Sequence, residues 1–137
     1  EAQYGRRDEA IALGAMYIAN HLKKLAVIVC ITESGSTPLW MSRSGASLPI
    51  VALSVQPKTL ARMALFRGVI PLAFDPPMDQ SMSFVDQLVV SQVADSLGLP
   101  EDSQVLLTRG DRLNNPGGTS TLKIVSIEEA KRTKDGD

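Results

Sequence analysis

The sequence predicts an α/β fold, a three-layer αβα sandwich built around a five-stranded and mostly parallel sheet. Short apolar runs rich in β-branched residues, typical of strands buried on both faces, alternate with amphipathic segments of helical length. Pro71 falls within the third apolar run and cannot donate to a sheet ladder, so that strand is expected at an edge. Right-handed crossovers then give the strand order 3-2-1-4-5, with the last strand antiparallel.

The first half of the chain alternates helix and strand. Residues 7–22 place apolar side chains at helical spacing, and residues 26–31 form a short continuous apolar run that predicts a buried strand. Thr37 suits the N-cap of a short helix over residues 39–44. Residues 49–54 predict the second strand because they repeat the apolar pattern of the first.

The second half adds two helices and three strands. The helices are predicted over residues 57–67 and 82–97, and Ser81 caps the second of them. A polar loop over residues 109–120 precedes the last strand. The three strands are predicted over residues 69–74, 104–108 and 122–127.

Length and composition predict one domain over residues 1–137, with polar tails at 1–8 and 128–137. A hydrophobic content of 44% and a charged content of 21% are those of an ordinary globular protein. The net charge of −1 argues against nucleic-acid binding, and the chain has no apolar stretch long enough to span a membrane. We therefore expect a cytoplasmic protein, in which the single cysteine, Cys30, lies within the first strand.

A hydroxyl-rich turn follows the first predicted strand directly. The first N–H groups of a helix lack intrahelical partners, so a turn of this composition is suited to hold a phosphate. The same residue types also serve helix capping alone, and the local sequence leaves both interpretations open. The candidate phosphate-binding residues are Thr32, Glu33, Ser34, Gly35, Ser36 and Thr37.

A second polar segment is expected at the same end of the sheet. In the predicted order, strands one and four are neighbours, and the chain leaves them toward opposite faces, which opens a crevice at their carboxyl ends. Arg109 and Arg112 lie in the loop after strand four, where guanidinium groups can hold phosphate oxygens or simply be solvated. The sequence thus predicts a site for a phosphorylated small molecule.

No complete active site is recognisable. His21 is the only histidine and stands at the end of a predicted helix, and no group of cysteines, histidines and carboxylates has the spacing of metal ligands. We therefore assign no catalytic residue and no metal ligand to this chain.

The stretches 26–37, 48–53, 59–72 and 117–122 resemble the C-terminal domain of pyruvate kinase. The conjunction of the Thr-Glu-Ser-Gly turn with the later Leu-Phe-Arg-Gly-Val segment is the most specific part of the match, which runs from about residue 9 to residue 127. The resemblance implies a cytoplasmic glycolytic enzyme, usually a homotetramer, that transfers a phosphoryl group from phosphoenolpyruvate to ADP using Mg²⁺ and K⁺. In that family the catalytic residues lie in a separate barrel domain, so this chain alone is expected to be inactive and regulatory.

The resemblance also assigns roles to residues. The family's effector-phosphate turn falls on residues 32–37, and its effector loop falls on Arg109, Asp111, Arg112, Asn114, Gly117 and Gly118. Glu33 stands where relatives activated by fructose bisphosphate carry a lysine, and a carboxylate beside a dianion is unfavourable. We therefore expect a monophosphate effector, AMP or a sugar monophosphate, as in the bacterial isozymes that look similar.

Subunit contact is expected along the fifth strand. Lys123, Val125 and Ile127 are predicted to lie at an open sheet edge that pairs with the same strand of a second subunit. The alternative to this contact is an ordinary sheet edge protected by Lys123.

Two alternatives to the regulatory function also stay open. The chain could be a free-standing protein of the same fold that binds a phosphometabolite, or a small phosphatase that uses the turn serines.

Overall fold

The computed structural model describes the backbone of residues 2–110 and 118–136 and the side chains of residues 6–110 and 118–133. Five helices and five strands lie in these ranges. The helices are α1 Ala2–His21, α2 Ser36–Arg43, α3 Pro57–Met63, α4 Met82–Leu97 and α5 Ile127–Gly136. The strands are β1 Leu25–Ile31, β2 Ile50–Ser54, β3 Val69–Ala73, β4 Gln104–Arg109 and β5 Thr121–Ser126. Within the described part of the chain, no helix combines the length and the apolarity that crossing a bilayer requires.

The strands form one sheet in the order β3-β2-β1-β4-β5, as the sequence predicts. The first four strands are parallel, and β5 runs antiparallel to β4, with Arg109 opposite Thr121 and Gln104 opposite Ser126. Pro71 lies in the edge strand β3, where its missing N–H removes no bond from the sheet interior. The topology predicted from the alternation of strands and helices and from Pro71 is therefore confirmed.

Each face of the sheet is covered by its own helical layer. One hydrophobic cluster packs α4 and α5 onto alternate residues of β1, β2 and β4, among them Val27, Val29 and Leu107. The opposite cluster packs α1, α2 and α3 onto the intervening residues, among them Ile28 and Leu106. Because both faces are covered, the central strands are buried along nearly their whole length, and their ends are the places where a ligand can reach the sheet.

Two predictions at the ends of the chain were wrong. Residues 127–136 form the helix α5, where we expected a strand end and a polar tail. Its apolar face consists of Ile127 and Ala130, both fully buried against the core, and Ser126 accepts a hydrogen bond from the Glu129 N–H at 3.3 Å. Similarly, residues 2–8 belong to α1, and Asp8 is buried. Tertiary packing stabilises both helical segments, and the polar composition of these segments gives no sign of that packing.

A buried ionic cluster lies at the carboxyl end of the sheet beneath the start of the loop after β4. Asp86 of α4 is fully buried and accepts hydrogen bonds from Arg109 Nε at 2.6 Å, from Arg109 Nη2 at 2.9 Å and from Lys123 Nζ at 3.0 Å. Arg109 is the last residue of β4 and not a loop residue as predicted. Its remaining terminal nitrogen donates to the Gly110 carbonyl at 3.0 Å, so the guanidinium fixes the point where the loop leaves the sheet.

Cys30 is the next-to-last residue of β1 and is fully buried. Its Sγ contacts Met41 Sδ of α2 at 3.5 Å, so this thiol is part of the apolar layer between the sheet and that helix. Burial raises the pKa of the Cys30 thiol from 9.0 to about 12, because the thiolate cannot be solvated there. The side chain is therefore a neutral core residue at physiological pH.

Replacement of Asp86 by alanine is expected to lower the free energy of unfolding by about 3 kcal/mol, because it leaves Arg109 and Lys123 without their shared carboxylate. Asp95→Ala is the matched control, since it removes a half-exposed carboxylate of the same helix that pairs with Lys131 at 3.1 Å. We expect that change to cost less than about 1 kcal/mol. Chemical denaturation checks both values, and equal losses would contradict the structural role of the buried cluster.

Stability is expected to fall with rising pH between about 9 and about 12 because of Cys30. In this window the unfolded chain releases the thiol proton while the folded chain retains it, so the unfolded state binds fewer protons and is favoured. The slope contributed by this group is about 1.4 kcal/mol per pH unit. The measurement is the difference in unfolding free energy between the parent chain and Cys30→Ala across the window, which cancels all other titrating groups. A constant difference would contradict the assignment.

Candidate functional site

The turn between β1 and α2 is built around a glycine in the left-handed conformation. Gly35 has φ 84° and ψ 8°, and its N–H donates to the Thr32 hydroxyl at 2.9 Å. The next N–H, that of Ser36, donates to the Ser34 hydroxyl at 3.2 Å. Each of these hydroxyls accepts an N–H and so keeps its own proton free to donate to a ligand oxygen. The turn therefore offers donors from both backbone and side chains at the start of a helix.

The predicted capping role of Thr37 was wrong. The helix α2 begins one residue earlier, at Ser36, and its N-cap is Gly35, which makes no side-chain capping bond. Thr37 is buried instead, and its hydroxyl shares a hydrogen bond of 2.5 Å with the Thr119 hydroxyl. The Thr37 side chain therefore bonds to Thr119, which is 82 residues away in the chain, and does not cap the helix as the local sequence pattern predicts.

The hydrogen bond between Thr37 and Thr119 joins the turn to the segment that enters β5. The Thr119 N–H donates to Asp8 Oδ1 of α1 at 2.7 Å, and the Ser120 N–H donates to the Arg109 carbonyl at 3.0 Å. Thr119 and Asp8 are both buried, so this junction is shielded from water. The structure therefore brings together α1, the β1–α2 turn and the end of the loop that follows β4.

The structure describes only two of the six candidate loop residues, Arg109 and Gly118. Gly118 is described and has φ 81°. Arg109 is engaged with Asp86 on the α4 side of the sheet, which leaves its guanidinium no free fork for a ligand. Asp111, Arg112, Asn114 and Gly117 lie outside the described residues. The site is therefore defined here by the β1–α2 turn and by Thr119.

The side chains expected at the subunit contact point into the molecule. Lys123 bonds to Asp86, Val125 is buried under α4 and α5, and Ile127 is a fully buried residue of α5 rather than of β5. The backbone edge of β5 is a separate feature, because β5 is the last strand in the sheet order. A contact along this edge would use its backbone and the opposite face of the strand, where Ile124 is 43% exposed.

The residues that most directly shape the turn were not recognised in the sequence. Thr59 of α3 donates its hydroxyl to the Glu33 carbonyl at 2.6 Å, and Arg62 Nη1 donates to the Ser34 carbonyl at 2.9 Å. The two bonded residues are 26 apart in the sequence in the first contact and 28 apart in the second, so no local sequence pattern predicts either contact. Asp8 was missed because we assigned residues 1–8 to a tail.

The described residues offer little for metal binding or nucleophilic catalysis. Among the described side chains of residues 6–110 and 118–133, no three from His, Cys, Asp or Glu lie close enough together to hold a metal ion. His21 stacks on Tyr17 at a ring distance of 4.1 Å and donates to the Tyr17 carbonyl at 2.7 Å. Both of these contacts are with a residue of its own helix.

Comparison with known proteins identifies the family. Residues 9–125 match the family described as pyruvate kinase, alpha/beta domain. Pyruvate kinase II of Salmonella typhimurium is 39% identical over 128 residues, which cover 93% of this chain and 26% of the relative. Pyruvate kinase of Buchnera aphidicola subsp. Schizaphis graminum is 40% identical over 120 residues, or 88% of this chain and 24% of the relative. The chain thus spans about a quarter of the length of these relatives. It belongs to the pyruvate kinase family and is a C-terminal alpha/beta domain of that family.

Proposed function

We propose that this chain is the regulatory domain of a pyruvate kinase and that it binds a phosphorylated activator at the β1–α2 turn. The observation that carries the proposal is the hydrogen bond between Thr37 and Thr119, because it joins the turn to the segment after β4 at the crevice of the sheet. A ligand held at this turn would lie beside the end of that segment. Binding and loop conformation would then be coupled directly.

The chemistry of the turn supports a phosphate as the group recognised. The hydroxyls of Thr32 and Ser34 are positioned by the N–H groups of Gly35 and Ser36, and the Thr37 N–H in the first turn of α2 has no intrahelical partner. An anion at this point is also favoured by the helix dipole. Several neutral donors can together hold a dianion without a metal ion or a buried cation.

Glu33 limits the charge of the ligand. Its carboxylate belongs to the same turn and is half-buried, so a second phosphate close to it would be repelled in a partly desolvated site. We infer that the effector is a monophosphate, AMP or a sugar monophosphate, and not a bisphosphate.

The phosphoryl transfer itself would take place elsewhere in the parent enzyme. There, phosphoenolpyruvate and ADP would react in a barrel domain that binds Mg²⁺ and K⁺, in the cytoplasm, while this chain alone would be inactive. Its contribution would be regulatory, through the backbone and hydroxyl donors of the β1–α2 turn.

The subunit contact that would carry the signal lies on the α1 side of β5. Leu13 and Tyr17, one turn apart on α1, are 57% and 65% exposed, and α1 passes over Leu122 of β5 near Gly14. Ile124 emerges on the same face of the strand as Leu122. We propose that this surface and the open edge of β5 meet the same elements of a second copy across a two-fold axis.

The coupling route follows from the position of Asp8. This residue lies on the same helix as Tyr17 and holds the Thr119 N–H, so a change at the end of the loop acts on the helix that carries the proposed contact surface. An effector would activate the enzyme only by contacting two arrangements of this junction differently.

The simultaneous replacement of Thr32, Ser34 and Thr37 by alanine is expected to raise the Kd for AMP, ribose 5-phosphate or glucose 6-phosphate by about tenfold or more. The reason is that the Thr32 and Ser34 hydroxyls are lost as donors to the phosphate, and the Thr37 hydroxyl that joins the turn to Thr119 is lost with them. Calorimetric titration of the 137-residue chain provides the measurement. The control replaces Ser42 and Ser44, whose hydroxyls donate to carbonyls away from the turn. Unchanged binding in the triple variant would contradict the site, and tighter binding of fructose 1,6-bisphosphate than of every monophosphate would contradict the charge argument.

The proposed subunit contact predicts that the chain dimerises and that Tyr17→Glu combined with Ile124→Lys yields a monomer. Both changes place charge in the apolar surface of α1 and β5 and leave the core untouched. Sedimentation velocity at high protein concentration gives the oligomeric state. Leu65→Glu is the control, because Leu65 is 86% exposed beyond the end of α3, and it should leave the dimer intact. A parent chain that sediments as a monomer would contradict the contact.

A further inference from the structure

The helix α3 is bonded to the two carbonyl groups in the middle of the β1–α2 turn. The Thr59 hydroxyl donates to the Glu33 carbonyl at 2.6 Å, and Arg62 Nη1 donates to the Ser34 carbonyl at 2.9 Å. Thr59 is buried, whereas Arg62 is exposed. Neither side chain belongs to the turn, and both come from one face of the helix that follows β2.

These two bonds fix the direction of the backbone donors. In a trans peptide the C=O and the following N–H point in opposite directions. With the Glu33 and Ser34 carbonyls directed at α3, the N–H groups of Ser34 and Gly35 are directed away from it. The Gly35 N–H indeed meets Thr32 Oγ1, on the side of the turn opposite α3. The turn thus presents N–H groups, and not carbonyl oxygens, to the crevice.

Packing reinforces this orientation. A Cβ on Gly35 would lie 3.3 Å from Met63 Cγ and 3.6 Å from Thr59 Cγ2, so α3 lies directly against the turn backbone. Rotation of either peptide would bring a carbonyl oxygen toward the anion. Rotation of the first would also leave the buried Thr59 hydroxyl without its acceptor, and rotation of the second would do the same to Arg62 Nη1. The ligand-free turn is therefore held in the arrangement that a phosphate requires.

We propose that Thr59 and Arg62 are positioning residues of the effector site, which orient and polarise two turn peptides. The Ser34 N–H is thereby directed at the phosphate of the activator, and the Gly35 N–H holds Thr32 Oγ1 so that the Thr32 hydroxyl proton can donate to the same phosphate. A donor on a carbonyl strengthens the N–H of the same peptide as a donor, because hydrogen bonds in a chain polarise one another. The positive charge of Arg62 adds to this effect. The inference rests on the proposed function, and it assigns part of the effector affinity to a helix that does not touch the ligand.

The test is calorimetric titration of the 137-residue chain and its variants with inorganic phosphate and with AMP. Thr59→Val removes the hydroxyl while keeping the shape, and Arg62→Met removes the guanidinium. Each is expected to raise Kd by about three- to tenfold for both ligands, because the turn contacts the phosphate that the ligands share. The midpoint of thermal unfolding of Arg62→Met should stay within about 2 °C of the parent, since its side chain is exposed.

Two controls separate positioning from simpler effects. Thr59→Ser retains the hydroxyl and is expected to restore the parent affinity, which a packing role of the threonine methyl group would not allow. Lys58→Met removes an exposed positive charge from the same helix, and the structure shows no bond from Lys58 to the turn. It should change Kd by less than about twofold.

The outcomes distinguish this inference from the proposed function. If the parent chain binds neither phosphate nor AMP, both fail together. If the parent binds but Thr59→Val and Arg62→Met bind equally well, the positioning role alone is overturned. If Lys58→Met and Arg62→Met weaken ligand binding equally, the positioning role of Arg62 is overturned as well. The loss of affinity would then come from the general electrostatic attraction between a positive charge and the anion.

Discussion

The buried hydrogen bond between Thr37 and Thr119 is the interaction on which the site depends. It connects the first turn of α2 with the segment that enters β5, and Asp8 closes the junction from α1. Polar groups buried at such a point must find partners, because each unpaired donor or acceptor costs about 1–3 kcal/mol. The three segments are therefore mutually dependent, and the crevice exists only while all three are in place.

Charge is distributed unevenly around this junction. Two cations at this end of the sheet, Arg109 and Lys123, pair with Asp86 on the α4 side, so we assign them a structural role. On the other side the turn offers hydroxyls and backbone N–H groups beside the carboxylate of Glu33. An anion at the proposed site would be held by directed hydrogen bonds more than by net charge. Such recognition discriminates by geometry and is weakened less by salt.

The sequence predicted the fold well because its signals are periodic and local. Alternating apolar runs and Pro71 were sufficient for the strand order, and Ser81 caps α4 as expected, accepting from the Phe84 N–H at 3.1 Å. The errors arose where distant residues decide. The partner of Arg109 is 23 residues away in the chain, and α5 carries only two buried apolar residues in a polar segment. The turn was proposed as a site from its composition, whereas the α3 contacts that orient it have no local signature.

In the proposed regulation, α1 would carry a change at this junction to the proposed contact surface. A helix transmits a displacement along its whole length because its backbone bonds make it stiff, and α1 holds the site through Asp8 at one point and exposes Leu13 and Tyr17 farther along. Coupling also requires that the junction have two arrangements of similar free energy, which a ligand can separate. A short chain of buried hydrogen bonds satisfies this requirement better than an apolar contact. Each hydrogen bond in such a chain is either made or broken. Breaking one changes the free energy of the junction by about 1–3 kcal/mol, which is the size of a typical allosteric coupling free energy.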